Sequence, residues 1–400
     1  MERNGKYIKK NIDRASAFGS SAVEILLYVI LAVNLSMVVY YPAYATLFGY
    51  FNFLVVGIAV LVVVNRSVIE IPLSMAVGLV AFFALATAVI VINHSGYGVL
   101  VQFIWPLAIN YMFIYSELSP RSIRRISTLM LAVWLISVAM SGSYSTTFFE
   151  NAARSMRTEG YNPNTTAIVI ASSCFFVEMG LTSAYRPRLT RLLLYVVSFM
   201  AIYVTRSRTS LISFAVTAVS GLLFRPLFKR SRGFSLTVAL LIILVGTLFP
   251  IGYVIMFRNG LIAGDANVMG KSVFTGRQYI WMNMWEYLKA NKGAFLWGTG
   301  YNIEFYGIGL FNVHNAYLQI FAQFGLPVLI IYLSYVLACV DRMFGRDGTL
   351  TDVQFTCYQV VLLTLLIGYT ETIFSYMLTL LFGPVALGIG CREAVRRENT

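Results

Sequence analysis

Apolar residues fill this chain in long runs separated by short polar stretches, and most runs approach the ~20 residues that an α-helix needs to cross a bilayer. Candidate spans fall near 23–40, 44–64, 72–92, 97–115, 126–142, 164–182, 190–205, 209–224, 234–257, 315–339, 353–369 and 371–390. The pattern therefore predicts an all-α polytopic membrane protein with about 12 transmembrane helices. One long hydrophilic stretch breaks the rhythm, at 258–314, between the ninth and tenth runs. A loop of that length usually has a function or is disordered. This one predicts order: Thr275 to Gln278 has capping-box spacing, and Ile280, Trp281, Met284, Trp285 and Leu288 then recur at helical intervals. Such a helix suits either the bilayer interface or the tops of the spans, since both bury the same stripe. No repeat or linker divides the chain, so residues 1–400 read as one integral membrane domain.

Composition agrees with the pattern: 58% of the residues are hydrophobic and 12% charged, against ~25% charged in soluble chains. Cys174, Cys339, Cys357 and Cys391 lie in or beside apolar runs without CxxC spacing, so neither a disulfide scaffold nor a thiolate metal site is indicated. The basic N-terminus (Arg3, Lys6, Lys9, Lys10, Arg14) precedes a span-length run without an A-x-A cleavage site, which reads as an uncleaved first helix.

Net charge of +13 raises the question of nucleic acid, and the positions of the charges answer it. With the N-terminus in the cytoplasm, 21 of the 30 basic residues fall on cytoplasmic segments, including Arg121, Arg124, Arg125, Arg225, Lys229, Arg230, Arg342 and Arg346. Both termini are thus expected inside. The positive charge is a topology signal and a headgroup contact, with no nucleic-acid partner.

Nine basic residues remain on the outer side, where topology does not require them. Arg206 and Arg208, in TRSRTS, sit on a very short connection between the seventh and eighth runs. A lone arginine at a span end often snorkels to headgroups, but a pair of planar guanidinium forks can clamp a diphosphate. Arg277 opens the amphipathic helix, where its charge opposes the helix dipole unless an anion sits nearby. Arg154 and Arg157 precede an Asn162-Pro163-Asn164 turn, and Arg258 begins the long loop. His314, at the junction of that loop and the tenth run, titrates in the range that suits a general base. His94 reads as an interfacial turn residue. The outer acids Glu150, Glu159, Asp265, Glu286, Glu304 and Glu371 show no glycosidase-like pairing, and Glu178 inside a span is expected to snorkel or to pair with a neighbouring span. No Walker motif and no GxGxxG before a helix is present, so no nucleotide cofactor is expected.

Three segments in this order resemble the O-antigen ligase and polymerase superfamily: SRTSL at 207–211, GRQYIWMNMWEYLKANKGAFLWGTGYN beginning at Gly276, and HNAYLQIFAQFG at 314–325. Asn162 to Asn164 is a weaker fourth match. The resemblance implies a membrane glycosyltransferase that takes a glycan from an undecaprenyl diphosphate donor on the outer face of the bacterial cytoplasmic membrane. It implies that Arg208 and Arg277 neutralise the diphosphate and that His314 orients or deprotonates the acceptor hydroxyl, with Arg206, Asn315, Tyr301, Arg157 and Arg258 as further binding candidates. Neither metal nor nucleotide is implied, since the diphosphate is already a good leaving group. The acceptor is a lipid-linked repeat unit for a polymerase, and lipid A core or a protein for a ligase. The SRTS stretch and the tyrosine-rich outer segments resemble the polymerases more, and whether a chain-length regulator assists stays open. The competing class is a transporter or lipid-linked glycan flippase. Twelve spans and the segment Asp341 to Gly348 fit a transporter, but the long loop after the ninth run breaks two-half symmetry and the arginines gather at the surface.

Overall fold

The computed structural model describes residues 25, 29, 73–95, 106–107, 109–111, 113–114, 120–143, 163–181, 187–261, 267–268, 271–272, 276–300, 304–305, 308–309, 313–371 and 382–398. Among these the fold is helical apart from two antiparallel pairs of two-residue strands. The helices are α1 (Leu73–Ile92), α2 (Pro120–Ser143), α3 (Pro163–Leu181), α4 (Pro187–Val204), α5 (Arg208–Leu223), α6 (Arg225–Arg230) and α7 (Arg232–Arg258). They continue with α8 (Arg277–Ala290), α9 (Lys292–Trp297), α10 (Ala316–Arg342), α11 (Asp352–Ile367) and α12 (Phe382–Glu398). The strands are β1 (Asn267–Val268) with β2 (Lys271–Ser272), and β3 (Glu304–Phe305) with β4 (Ile308–Gly309).

Four of these helices are long and apolar enough to cross a membrane, over Pro120–Ser141, Asn164–Leu181, Arg232–Arg258 and Ala316–Arg342. Shorter apolar helices run over Val77–Ile92, Arg208–Leu223 and Asp352–Ile367. Apart from residues 25 and 29, the expected spans near 23–40 and 44–64, and much of 97–115, fall outside the described residues. Of the last expected span, 371–390, Glu371 lies in a turn after α11, residues 372–381 fall outside the described residues, and α12 holds the remainder from Phe382 onward. Small residues allow that placement, because a Cβ at Gly388 would meet Phe113 at 2.3 Å and one at Gly390 would meet Met343 at 2.8 Å.

Burial differs from helix to helix and follows sequence. Central helices α3 and α11 are largely enclosed, and polar side chains they bury, such as Glu178 and Gln354, are hydrogen-bonded within the bundle. By contrast α4, α5 and α7 leave Leu193, Met200, Ile212, Val216, Leu241 and Leu248 exposed. Those apolar faces suit lipid rather than water.

Helix α10 is two helices joined at a break. Gly325 has φ +80° and ψ 175°, and Pro327 two residues later has no amide hydrogen to give to the carbonyl of Gln323. Carbonyls freed in mid-helix need donors. The Gly298-Thr299-Gly300 segment supplies them: the amides of Thr299 and Gly300 donate to Ala322 and Gln323 at 2.7 and 3.1 Å, and the Thr299 hydroxyl adds a 3.0 Å bond to Ala322. Approach is so close that a Cβ at Gly298 would meet Gln323 backbone at 2.4 Å. Thus the Gly-x-Gly of the long loop caps the broken span from the side.

Charge is sorted to the two ends of the bundle. At one end Glu178, 1% exposed, receives Arg191 Nε at 2.6 Å, Arg225 Nη1 at 3.0 Å and the Tyr195 hydroxyl at 2.5 Å. Of the two expectations for Glu178, pairing is what the fold adopts. Asp352 extends the network, accepting from Arg225 and Lys229 at 2.8 Å each, and Asp341 accepts from Arg232 Nε at 2.6 Å. The opposite end carries the other set.

Candidate functional site

The outer-end residues converge because α10 starts where α11 stops. Asn315 caps α10, its side chain accepting from Leu318 at 2.7 Å. The Ala316 amide, an orphan donor of that first turn, donates to the carbonyl of Gly368 at the end of α11 at 2.8 Å. Asn315 Nδ2 adds bonds to Tyr369 O at 2.8 Å and to Gly246 O of α7 at 3.3 Å. Gly246 lets these helices close up, since a Cβ there would sit 2.5 Å from the Tyr317 ring and 2.6 Å from that of Tyr369. Asn315 is fully buried, and its amide is spent on backbone. His314 just before it adopts φ +53°, a left-handed conformation that histidine tolerates better than most residues.

Arg277 comes from above. Helix α8 lies on α7, with Trp281 edge-on to Phe249 and Tyr253, and the Trp281 indole donates to Val313 O at 2.8 Å. Trp281 is 1% exposed, so the stripe Ile280, Trp281, Met284 and Leu288 packs on protein. Trp285 is half-buried under Lys289. The capping-box expectation at Thr275 is corrected: Gly276 is the N-cap, in a left-handed conformation and without a side-chain bond, so Arg277 is the first helical residue.

Glu371 joins these parts. Its Oε1 accepts from Arg277 Nη2 at 3.0 Å and from Asn164 Nδ2 at 3.3 Å, and its Oε2 lies 4.0 Å from His314 Nδ1. Next to it the hydroxyls of Thr370 and Thr209 meet, which brings the start of α5, and Arg208, to the same end. Burial and the charge of Arg277 both press the Arg208 guanidinium below its usual range. The same two causes pull His314 down to about 4, so its imidazole is neutral at pH 7. Burial raises the Glu371 carboxyl, with Arg277 opposing. Arg277, Glu371 and His314 are each partly exposed at 13%, 16% and 29%, which leaves the cluster open to a ligand at the bundle end.

Sequence-expected residues thus separate. Arg208, Arg277 and His314 come together. Arg206 is exposed, in a left-handed turn (φ +55°) that ends α4, and the guanidinium acting on Arg208 is that of Arg277. Arg258 Nη2 is engaged by Glu286 at 2.5 Å, an ion pair that fastens α8 to the end of α7. His94 is an exposed turn residue, also left-handed, as expected. Arg154, Arg157 and Tyr301 lie outside the described residues. The residue missed from sequence is Glu371, and the available signal was an acid at the edge of an apolar run. Asn164 of the Asn-Pro-Asn turn also reaches the cluster.

A cleft at the opposite end is lined by Arg225, Lys229, Arg230 and Leu350. Arg225 and Lys229 there are already engaged by Asp352, so it is the poorer anion site.

Residues 193–333 match the family model described as O-antigen ligase, which supports the resemblance to the O-antigen ligase and polymerase superfamily. That stretch holds Arg206, Arg208, Arg258, Arg277, Tyr301, His314 and Asn315, and ends before Glu371. No curated protein matches the chain. The match and the apolar helices together fit a membrane protein.

Proposed function

We propose that the protein is an O-antigen or polysaccharide polymerase: a glycosyltransferase of the bacterial cytoplasmic (inner) membrane that moves a glycan from undecaprenyl diphosphate to a lipid-linked repeat unit. The observation that carries this reading is the convergence of Arg208, Arg277 and His314 on one partly exposed cluster, within a stretch matched to the O-antigen ligase family model. Both termini are cytoplasmic in this reading, 258–314 is extracytoplasmic, and residues 1–400 form one membrane domain.

Chemistry follows from the charges. The acceptor oxygen attacks the anomeric carbon; the new C–O bond forms as the bond from that carbon to the diphosphate oxygen breaks, and the electron pair leaves with the diphosphate. Arg208 and Arg277 stabilise the charge that grows there, with bidentate hydrogen bonds suited to phosphate. The acceptor proton passes to His314, through Nε2, because Nδ1 faces Glu371. No step calls on a metal or nucleotide. Arg206, Arg157 and Tyr301 are proposed to contact donor or acceptor, Asn315 to hold His314 in register, and Arg258 to act through its ion pair with Glu286.

The ligase reading is favoured by the description of the matched family and differs only in acceptor. Purified protein given labelled undecaprenyl diphosphate glycan and either acceptor separates the two. A ladder on lipid-linked repeats is expected; a single transfer to lipid A core or to a protein means ligase. Lipid translocation without transfer to either acceptor overturns both readings in favour of a flippase.

A further inference from the structure

Within the proposed glycosyl transfer, on which this inference rests, Glu371 holds a position that diphosphate would contest. Its Oε1 is on Arg277 at 3.0 Å, and its other oxygen is 4.0 Å from His314 Nδ1, about 1 Å too long for a hydrogen bond. One carboxylate therefore stands between the cation proposed to bind the leaving group and the proposed base. It is steadied by Asn164 at 3.3 Å and sits in the turn after α11.

We infer that Glu371 is a positioning residue that exchanges partners: the donor's diphosphate takes Arg277 from it, and the released carboxylate moves onto His314 Nδ1. The exchange links donor binding to activation of the base. While Glu371 holds Arg277, His314 is buried next to a cation and is a poor base, pulled down to about 4. Diphosphate on Arg277 removes the opposing charge, and a carboxylate on Nδ1 fixes the tautomer and stabilises the imidazolium formed on proton uptake. Among the described residues, the charged groups shown to face or act on His314 are Arg277 of α8 and Glu371 after α11, with Arg208 of α5 next to Arg277. Of these, Glu371 is the acidic group. Premature activation would expose the donor to water, so a base that strengthens only with donor in place also limits hydrolysis.

The experiment uses the full-length purified protein, with donor varied at saturating acceptor, for wild type, Glu371→Gln and Glu371→Asp. In wild type the acid limb of kcat, which reports the donor complex, lies at higher pH than that of kcat/KM for donor, which reports the free enzyme. Glu371→Gln lowers donor KM several-fold, because Arg277 loses its internal competitor, while kcat falls roughly tenfold or more and its acid limb shifts to lower pH. Glu371→Asp restores part of kcat. A raised KM with unchanged kcat, or coincident acid limbs in wild type, overturns the exchange. The wild-type comparison decides even if Glu371→Gln does not fold. Absence of any transfer by wild type would instead overturn the glycosyltransferase reading itself.

Discussion

Arg277 serves two partners with one planar fork, and that duty explains why lysine would not replace it. Its Nη2 holds Glu371 at 3.0 Å while the side chain stays partly exposed. Lysine is a point charge that cannot bind bidentately. Arg277→Lys is accordingly expected to lower kcat/KM for donor by about 10²-fold or more, measured by transfer at subsaturating donor. His314 gives the pH dependence. A histidine whose pKa is held near 4 is fully deprotonated at neutral pH and loses its basic form only as pH falls through that value. Activity per unit donor should therefore hold from neutrality down to about pH 5 and drop below it, whereas an unperturbed histidine would lose activity already near ~6.5. Asn315 is structural support: Asn315→Ala removes the α10 cap and two bonds to backbone, and is expected to cost about 2 to 4 kcal/mol, read as a fall in thermal midpoint in detergent. His314, Arg208 and Arg277 were legible in the sequence because each sits in a local motif. Glu371 was not, because its contacts reach across 94 residues to Arg277 and 207 to Asn164. Nothing local to an acid at the edge of an apolar run foretells such partners.

Among the elements, the broken α10 and the loop that caps it are the most constrained. Gly298 (φ +64°, ψ −168°) and Gly325 (φ +80°, ψ 175°) occupy a region open essentially to glycine, and each backbone crowds the other segment. Gly298→Ala and Gly325→Ala should each destabilise by roughly 3 kcal/mol or more, and a thermal midpoint equal to wild type would contradict the side-on capping. Periodicity placed most helices well, since the long apolar runs at 164–182, 234–257 and 315–339 each hold one. It put Glu371 at the head of the run at 371–390, whereas that residue lies in the turn after α11. It also set the start of α8 one residue early: the Thr-x-x-Gln spacing fits a capping box, yet the left-handed Gly276 takes the cap position. Side-on capping of α10 was not legible either, because it joins carbonyls at 322–323 to amides at 299–300, and backbone bonds leave no side-chain pattern.

For the whole molecule, the two charge sets at opposite ends of the bundle turn the positive-inside argument into a physical test. Arg206 and Arg346 are both exposed, one at each end. The four native cysteines are buried. In intact cells, a membrane-impermeant maleimide should label Arg206→Cys and spare Arg346→Cys, and the reverse pattern would invert the proposed topology. The inner set is also a stability element. Glu178→Ala would leave Arg191 and Arg225 without their buried partner, and an expected loss of about 3 to 5 kcal/mol should appear as lower thermal stability.

The central claim is that Arg208, Arg277 and His314 form one glycosyl-transfer site that works without metal or nucleotide. The most direct measurement is the rate of glycan transfer from undecaprenyl diphosphate by purified protein in excess chelator, comparing wild type with Arg208→Ala, Arg277→Ala and His314→Ala. Wild type should transfer robustly, and each folded variant should lose about 10²-fold or more. Chelator-sensitive transfer, or variants that retain wild-type rates, would contradict it.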